Sequence, residues 1–329
     1  MNTPISRRSF VKSSLLVSSA LPLAVSSAKS AAGQPTEPAA APSDPKDPMP
    51  MGRIGNHEFS RLMLGGNLVG GYAHSRDLSY VSTLMRRYNT PAKIRQTLEL
   101  AESQGINVIN SWVMQENDGL FEHWKNGGKM KWISQVRLDE GGGFSQLQKA
   151  SDQGAVGIHF TGDTCEHLLA QGKFEKVAES LDWIKQKGLV SGVAAHDLAV
   201  IVECEKLRLE PDFYQKAFHS HEYWSSPKRE EKGVLGSNDN SWCADPDAVA
   251  QVMAKTTRPW IAFKILAAGA IQPRAAFPYA FNAGADFILV GMFDWQVAEN
   301  ATLAKRVCRI VRGPESKRAR PWHGDKPAV

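Results

Sequence analysis

The chain has 329 residues, a formal net charge of +5 and four cysteines. Part of the charge sits in Arg7, Arg8 and Lys12 near the start and in Lys317, Arg318 and Arg320 near the end, and no aromatic-plus-basic repeat accompanies it, which argues against a nucleic-acid-binding surface. Cys165, Cys204, Cys243 and Cys308 are scattered without a CxxC pair, so buried free thiols are expected rather than a disulfide framework.

From the N-terminus, Ser6-Arg7-Arg8-Ser9-Phe10-Val11-Lys12 is followed by a weakly apolar run from Leu15 to Val25 and then small residues. The run is too short and too serine-rich for a stable membrane anchor. The paired arginines, the Phe and the following Lys resemble a twin-arginine export signal, with cleavage after Ala28 or Ser30. That resemblance implies a periplasmic or otherwise exported protein, the twin-arginine machinery as partner, and a cargo folded before export. Residues 31–50 carry Pro35, Pro38, Pro42, Pro45, Pro48 and Pro50 with few apolar side chains, which reads as an extended tether. The organisation expected is therefore a signal over 1–30, a linker over 31–50, a folded domain over 51–312 and a basic flexible tail over 313–329.

Within 51–312, short apolar runs alternate with helical stretches. Strands are predicted at 61–66, 106–111, 130–136, 155–160, 189–196, 212–221, 260–266 and 286–291, with amphipathic helices such as 92–104 and 174–187 between them. Gly105, Gly154, Gly188 and Gly284 each stand just before a strand, as helix stops. Eight strands with intervening helices predict a single (β/α)8 barrel, with the usual barrel size of roughly 250 residues. An open doubly wound sheet is the alternative; its G-x-G-x-x-G loop is missing between Gly65 and Gly71.

The opening RIGNHEFSRLMLGGNLVGGYAHSRDL, with GIHFTGD at the fourth strand, SGVAAHD at the fifth and FYQ at the sixth, resembles the aldo/keto reductase-like barrels, and within them exported bacterial proteins of that type. Active members of that family use an Asp and a Tyr after the second strand, a Lys at the third and a His at the fourth. Here the second strand runs Asn110-Ser111-Trp112, the third reaches Gln135, and only His159 matches. No basic loop for the cofactor's 2′-phosphate stands out either. The resemblance thus implies the barrel, while NADP ranks low as a cofactor.

In such a barrel the site lies at the C-terminal strand ends. Alternation puts Gly157 and His159 on one face of the fourth strand, Ala194 and His196 on one face of the fifth, and Gln215, Ala217, His219 and His221 on one face of the sixth. Imidazoles from three neighbouring strands, with carboxylates close by, suit a divalent metal held by His159, His196, His219, His221 and Glu222. Separately hydrogen-bonded rim histidines are the alternative, whereas His57, His123, His167 and His323 read as surface residues. Lys264, in an otherwise apolar strand end, could hold an anion, pair with a carboxylate, or form a Schiff base if burial depresses its pKa. His159 and Lys264, with Asp163, Glu166 or Asp197 as base, are the catalytic candidates. Asn67, Tyr72, His74, Arg76, Asn110 and Gln135 are the substrate-binding candidates. The expected function is an exported barrel enzyme acting on a carbohydrate-like small molecule by metal- or His/Lys-assisted acid–base chemistry of isomerase, lyase or aldolase type. A nicotinamide-dependent reductase and a non-catalytic sugar-binding barrel are the alternatives.

Overall fold

A computed structural model describes residues 47–75, 77–113, 118–227 and 239–325. The signal over 1–30 and the linker up to residue 46 lie outside the described residues. A hairpin of β1 (Met51–Ile54) and β2 (His57–Ser60) turns at Gly55 and pairs antiparallel. Eight parallel strands follow: β3 (Leu62–Gly65), β4 (Val108–Trp112), β5 (Lys131–Val136), β6 (Gly157–Phe160), β7 (Val190–Ala195), β8 (Phe213–Ala217), β9 (Trp260–Phe263) and β10 (Phe287–Gly291). They close into a barrel because β10 pairs with β3, from Ile288 opposite Leu62 to Gly291 opposite Gly65. Closure confirms the (β/α)8 reading and sets the open doubly wound sheet aside.

Period-two alternation sorts the strand residues. Met63, Val108, Ile133, Val190, Phe213, Ile261 and Phe287 point inward and form an apolar floor with Ile54 and Phe59 of the hairpin. The hairpin therefore plugs the N-terminal end of the barrel. Their sequence neighbours, among them Leu62, Leu64, Trp132, Tyr214 and Trp260, face outward and are buried beneath the helices. The four glycine stops all hold positive φ, at 86°, 92°, 71° and 110° for Gly105, Gly154, Gly188 and Gly284, a region open to glycine at little cost. Gly66 is required for space instead: a Cβ there would lie 2.4 Å from Ser111 Cβ and 2.8 Å from Asn110 O.

Three expectations need correction. The sixth strand was expected to run through His221 but ends at Ala217, and the seventh ends at Phe263 rather than Leu266. Phe218 N–H still reaches Phe263 O, but His219 then turns its ring to Ser220 O and to the Trp242 N–H. At the end of the seventh strand, Lys264 breaks the pleat by taking a φ of 57°.

The second correction concerns the tail. Residues 313–325 do not form a solvated basic segment; Arg318 and Arg320 have side chains only 4% and 2% exposed and close on the buried Asp286. Asp286 Oδ1 accepts from Arg318 Nη2 and His323 N–H, both at 2.8 Å, and Oδ2 accepts from Arg320 Nη2 at 2.8 Å and Trp260 N–H at 3.0 Å. Arg61, wholly buried, donates to Asp286 O and pairs with Asp325, while Trp322 packs between the Arg61 and Arg318 guanidinium groups. Gly324 O then accepts from Arg53 N–H of the hairpin at 2.8 Å. Arg318 and Arg320 are buried because one carboxylate with four acceptor positions receives both, whereas Lys317 is exposed.

The third correction is to the histidines read as surface groups. His167 is exposed and His57 half-buried, but His123 is 2% exposed against Glu102, and His323 belongs to the Asp286 network. The four cysteines are buried free thiols, as expected. No helix among the described residues is long and apolar enough to cross a membrane.

Candidate active site

One layer above the apolar floor, three polar side chains fill the barrel. Asn110, His159 and Gln215 each stand two residues beyond an inward floor position, so alternation turns them inward too. His159 Nδ1 lies 2.7 Å from Phe160 O and must donate to it, which leaves a lone pair on Nε2. Asn110 Nδ2 donates to that nitrogen at 3.0 Å and to Gln215 Oε1 at 2.8 Å. Burial pushes the His159 pKa down to about 4, against the opposing pull of the Phe160 carbonyl. His159 is thus a neutral, fully engaged residue of the barrel interior. Gln135 stands beside it on β5, in register with His159.

The mouth is built around Trp242. Its ring centroid lies 4.7 Å from that of His196 and 5.1 Å from that of His74, and Lys264 Nζ sits 3.7 Å from it. Each histidine is paired with a carboxylate. His74 Nδ1 is 2.9 Å from Asp239 Oδ1, and His196 Nδ1 is 3.3 Å from Glu166 Oε2. Glu166 also receives the His196 and Asp197 backbone N–H groups. Burial alone would raise the Glu166 pKa, but these hydrogen bonds, with the His196 side chain foremost, hold it below the usual carboxylate value.

Lys264 joins this cluster through His74, with Nζ 2.8 Å from His74 Nε2. Asn67 Nδ2 approaches the same nitrogen at 3.5 Å. Burial lowers the Lys264 pKa to about 7, opposed by the charges of Asp239, Asp163 and Glu166. Burial and then the Lys264 charge lower the His74 pKa, while Asp239 pulls it back up. The result is a relay of carboxylate, imidazole and amine across the C-terminal end of the barrel.

The structure therefore brings together Lys264, His74, Asn67, His196 and Glu166 from the predicted set. Tyr72, 43% exposed, lies beside Trp112 at the rim, with ring centroids 6.1 Å apart. Asp163 is an exposed partner of Arg137, and Asp197 caps the helix Leu198–Leu207 through Ala199 N–H. Arg76 lies outside the described residues.

The expected set of metal ligands does not converge. His159 is down in the barrel, His219 has both ring nitrogens on backbone groups, His221 Nε2 faces Cys243 O at 2.6 Å, and Glu222 is exposed. Among the described residues no three His, Cys, Asp or Glu side chains form a metal-binding group. The strand alternation that suggested convergence fails because His196 and His219 lie beyond the ends of β7 and β8.

Asp239 and Trp242 were missed by the sequence reading. Both belong to the long connection after β8, at the end of the barrel where loops carry function. That position was the available signal, but 165 residues separate Asp239 from His74. Lys216 was missed as well. It is wholly buried, and its Nζ donates to His196 O at 2.6 Å and Ala217 O at 2.9 Å, tying the end of β8 to the His196 backbone.

Fold and site together define a (β/α)8 barrel with an ionisable cluster at its mouth. No family profile matches the chain, and no curated protein matches it. Among solved structures it is similar to a Pseudomonas aeruginosa protein named as a candidate aldo-keto reductase, at 18% identity and a TM-score of 0.50 over 78% of this chain and 95% of that one. A glycerol dehydrogenase of Gluconobacter oxydans aligns at 12% identity and a TM-score of 0.48, covering 85% of this chain and 98% of that one. An N-acetylneuraminic acid synthetase of Leptospira borgpetersenii aligns at 10% identity and 0.47, covering 81% and 92%. The likeness to the first is one of barrel fold.

Proposed function

We propose that this chain is an exported barrel enzyme that moves protons on a carbohydrate-like, carbonyl-bearing small molecule, in a reaction of isomerase, lyase or aldolase type. The observation that carries the reading is the Asp239–His74–Lys264 relay over Trp242. A carboxylate only accepts hydrogen bonds, so Asp239 holds the proton on His74 Nδ1 and leaves the Nε2 lone pair facing Lys264. An imidazole and an amine with lowered pKa values can exchange a proton at neutral pH, which suits general acid–base work. The protonated Lys264 also suits an oxyanion developing at a substrate carbonyl. The exposed face of Tyr72, with Trp112 next to it, gives the rim an aromatic edge against which the apolar face of a sugar can lie. The His196–Glu166 pair on the other side of Trp242 offers a second acid–base group.

The reading is tested by incubating the mature protein with a panel of small aldoses and ketoses in deuterium oxide and following the C–H signals next to the carbonyl by proton NMR. Exchange is expected with at least one sugar, and His74→Ala should slow it by about 100-fold or more. Absence of exchange across the panel would overturn the proposal. Tight binding of reduced nicotinamide cofactor by the same protein would favour the reductase alternative.

A further inference from the structure

We propose that Lys264 is a nucleophile that forms an imine with the carbonyl carbon of a small polyhydroxylated aldehyde or ketone, His74 shuttling the protons. The inference rests on the reading of this mouth as a carbonyl-handling site and goes beyond it, since proton transfer alone needs no covalent bond.

The amine is held from several sides. Lys264 is the first residue past β9, at the end of the barrel where the loops meet. Its Nζ contacts His74 Nε2 at 2.8 Å and lies 3.7 Å from the centre of the Trp242 ring. Both partners are themselves anchored, His74 by Asp239 and Trp242 by its backbone N–H on His219 Nε2. Among the described residues no carboxylate oxygen comes within ion-pair distance of Lys264, so the pairing that would keep a buried lysine charged is missing; its hydrogen-bond partner is an imidazole. Burial then favours the neutral amine, in line with a pKa of about 7.

The backbone adds a further sign. Lys264, Ala267 and Ala268 take φ of 57°, 44° and 54°. Left-handed conformations are strained in residues with a Cβ and persist where surrounding structure over-determines them, often at active sites. A left-handed turn at the strand end swings the Lys264 side chain off the pleat and toward Trp242.

The chemistry balances without another reactant. Lys264 Nζ, as the free amine, forms the C–N bond while the carbonyl π pair moves onto oxygen. His74 Nε2 takes one proton from the nitrogen and passes it to that oxygen. The nitrogen lone pair then forms the C=N bond, and the hydroxyl leaves with the second nitrogen proton, again delivered through His74. The products are the imine and one water. Protonated, the imine withdraws electrons from the neighbouring carbon, which is what isomerase and aldolase steps require.

The test is reductive trapping of the mature protein with dihydroxyacetone or D-glyceraldehyde and cyanoborohydride, mapped by peptide mass spectrometry. Lys264 is expected to be labelled at least about ten-fold faster than any other lysine, and His74→Gln to slow that labelling by a similar factor. Lys264→Met removes the amine while keeping a side chain of similar length and no charge, and should remove the labelled peptide while circular dichroism and melting temperature stay near the parent. Labelling spread over surface lysines, with Lys264 no faster than the rest, would overturn the proposal. If Lys264 is not trapped while deuterium exchange still occurs, the imine fails and the proton-transfer reading stands. If Lys264 is trapped but no exchange occurs, the imine stands and the proton-transfer reading fails.

Discussion

Asp286→Asn should destabilise the barrel more than any other single-atom exchange on its N-terminal face. The carboxylate is fully buried and accepts four hydrogen bonds, two of them from the guanidinium groups of Arg318 and Arg320. An amide has one acceptor oxygen and one NH2. If the NH2 takes the Oδ2 position it faces Trp260 N–H and Arg320; if it takes Oδ1 it faces Arg318 and His323 N–H. Either way two donors meet a donor, and two buried cations lose their counter-charge. Breaking a buried pair by removing one partner costs about 3–5 kcal/mol. At about 2 °C per kcal/mol for a domain of this size, the melting temperature should fall by roughly 6–10 °C. Differential scanning calorimetry of the purified protein and of Asp286→Asn measures it directly. Arg320→Met combined with Asp286→Asn should cost clearly less than the sum of the two, because each removes the other's uncompensated partner. A melting shift below about 2 °C, or full additivity, would refute the buried network as the clasp that holds residues 313–325.

Acid should loosen the fold through two histidines. His159 and His219 are each lowered from 6.5 to about 4, chiefly by burial, so between those values the unfolded chain binds more protons than the folded one. Stability is complete above the ordinary value of 6.5 and falls as pH drops through the window toward 4, with a slope approaching about 2.7 kcal/mol per pH unit for the pair. Urea unfolding midpoints taken across that range check this, and a flat profile would count against the neutral buried rings. For the N-terminal segment, replacing Arg7 and Arg8 together with Lys should leave the protein in the cytoplasm; unchanged fractionation would remove the twin-arginine reading.

What could be read from the residues alone follows the physics of each signal. The eight strands were legible because each is a short apolar run bounded by a glycine or polar stop, and barrel strands are buried on both sides. The shared face of Gly157 and His159, and the place of Gln215 and Ala217 on one face, followed from alternation, which holds as long as the chain stays pleated. Alternation stopped helping where the strands stopped. His219 and His221 were carried along a face that ends at Ala217, and Lys264 was assigned to a strand that ends one residue before it. Asp239 and Trp242 lie in a loop without periodicity, so nothing local ties them to His74. The tail was misread for a different reason: Lys317, Arg318 and Arg320 form a basic run, and only the fold reveals that Asp286 awaits two of them.

The buried clasp and the proposed chemistry occupy opposite ends of the same strands. β10 begins next to Asp286, where a saturated carboxylate locks the hairpin, the barrel and the terminal segment together. β9 begins at Trp260, whose N–H meets that carboxylate, and ends at Phe263 against His196, one residue short of Lys264. A rigid floor is what allows the other end to hold a left-handed lysine, a buried amine and two histidine–carboxylate pairs, all of which a looser scaffold would release. Changes to the Asp286 network should therefore shift melting while leaving Lys264 trapping at ambient temperature close to the parent rate. Changes to His74 should do the reverse. A loss of trapping in Asp286→Asn that is still fully folded would mean that the two ends are coupled, and that the strained turn at Lys264 depends on the clasp beneath it.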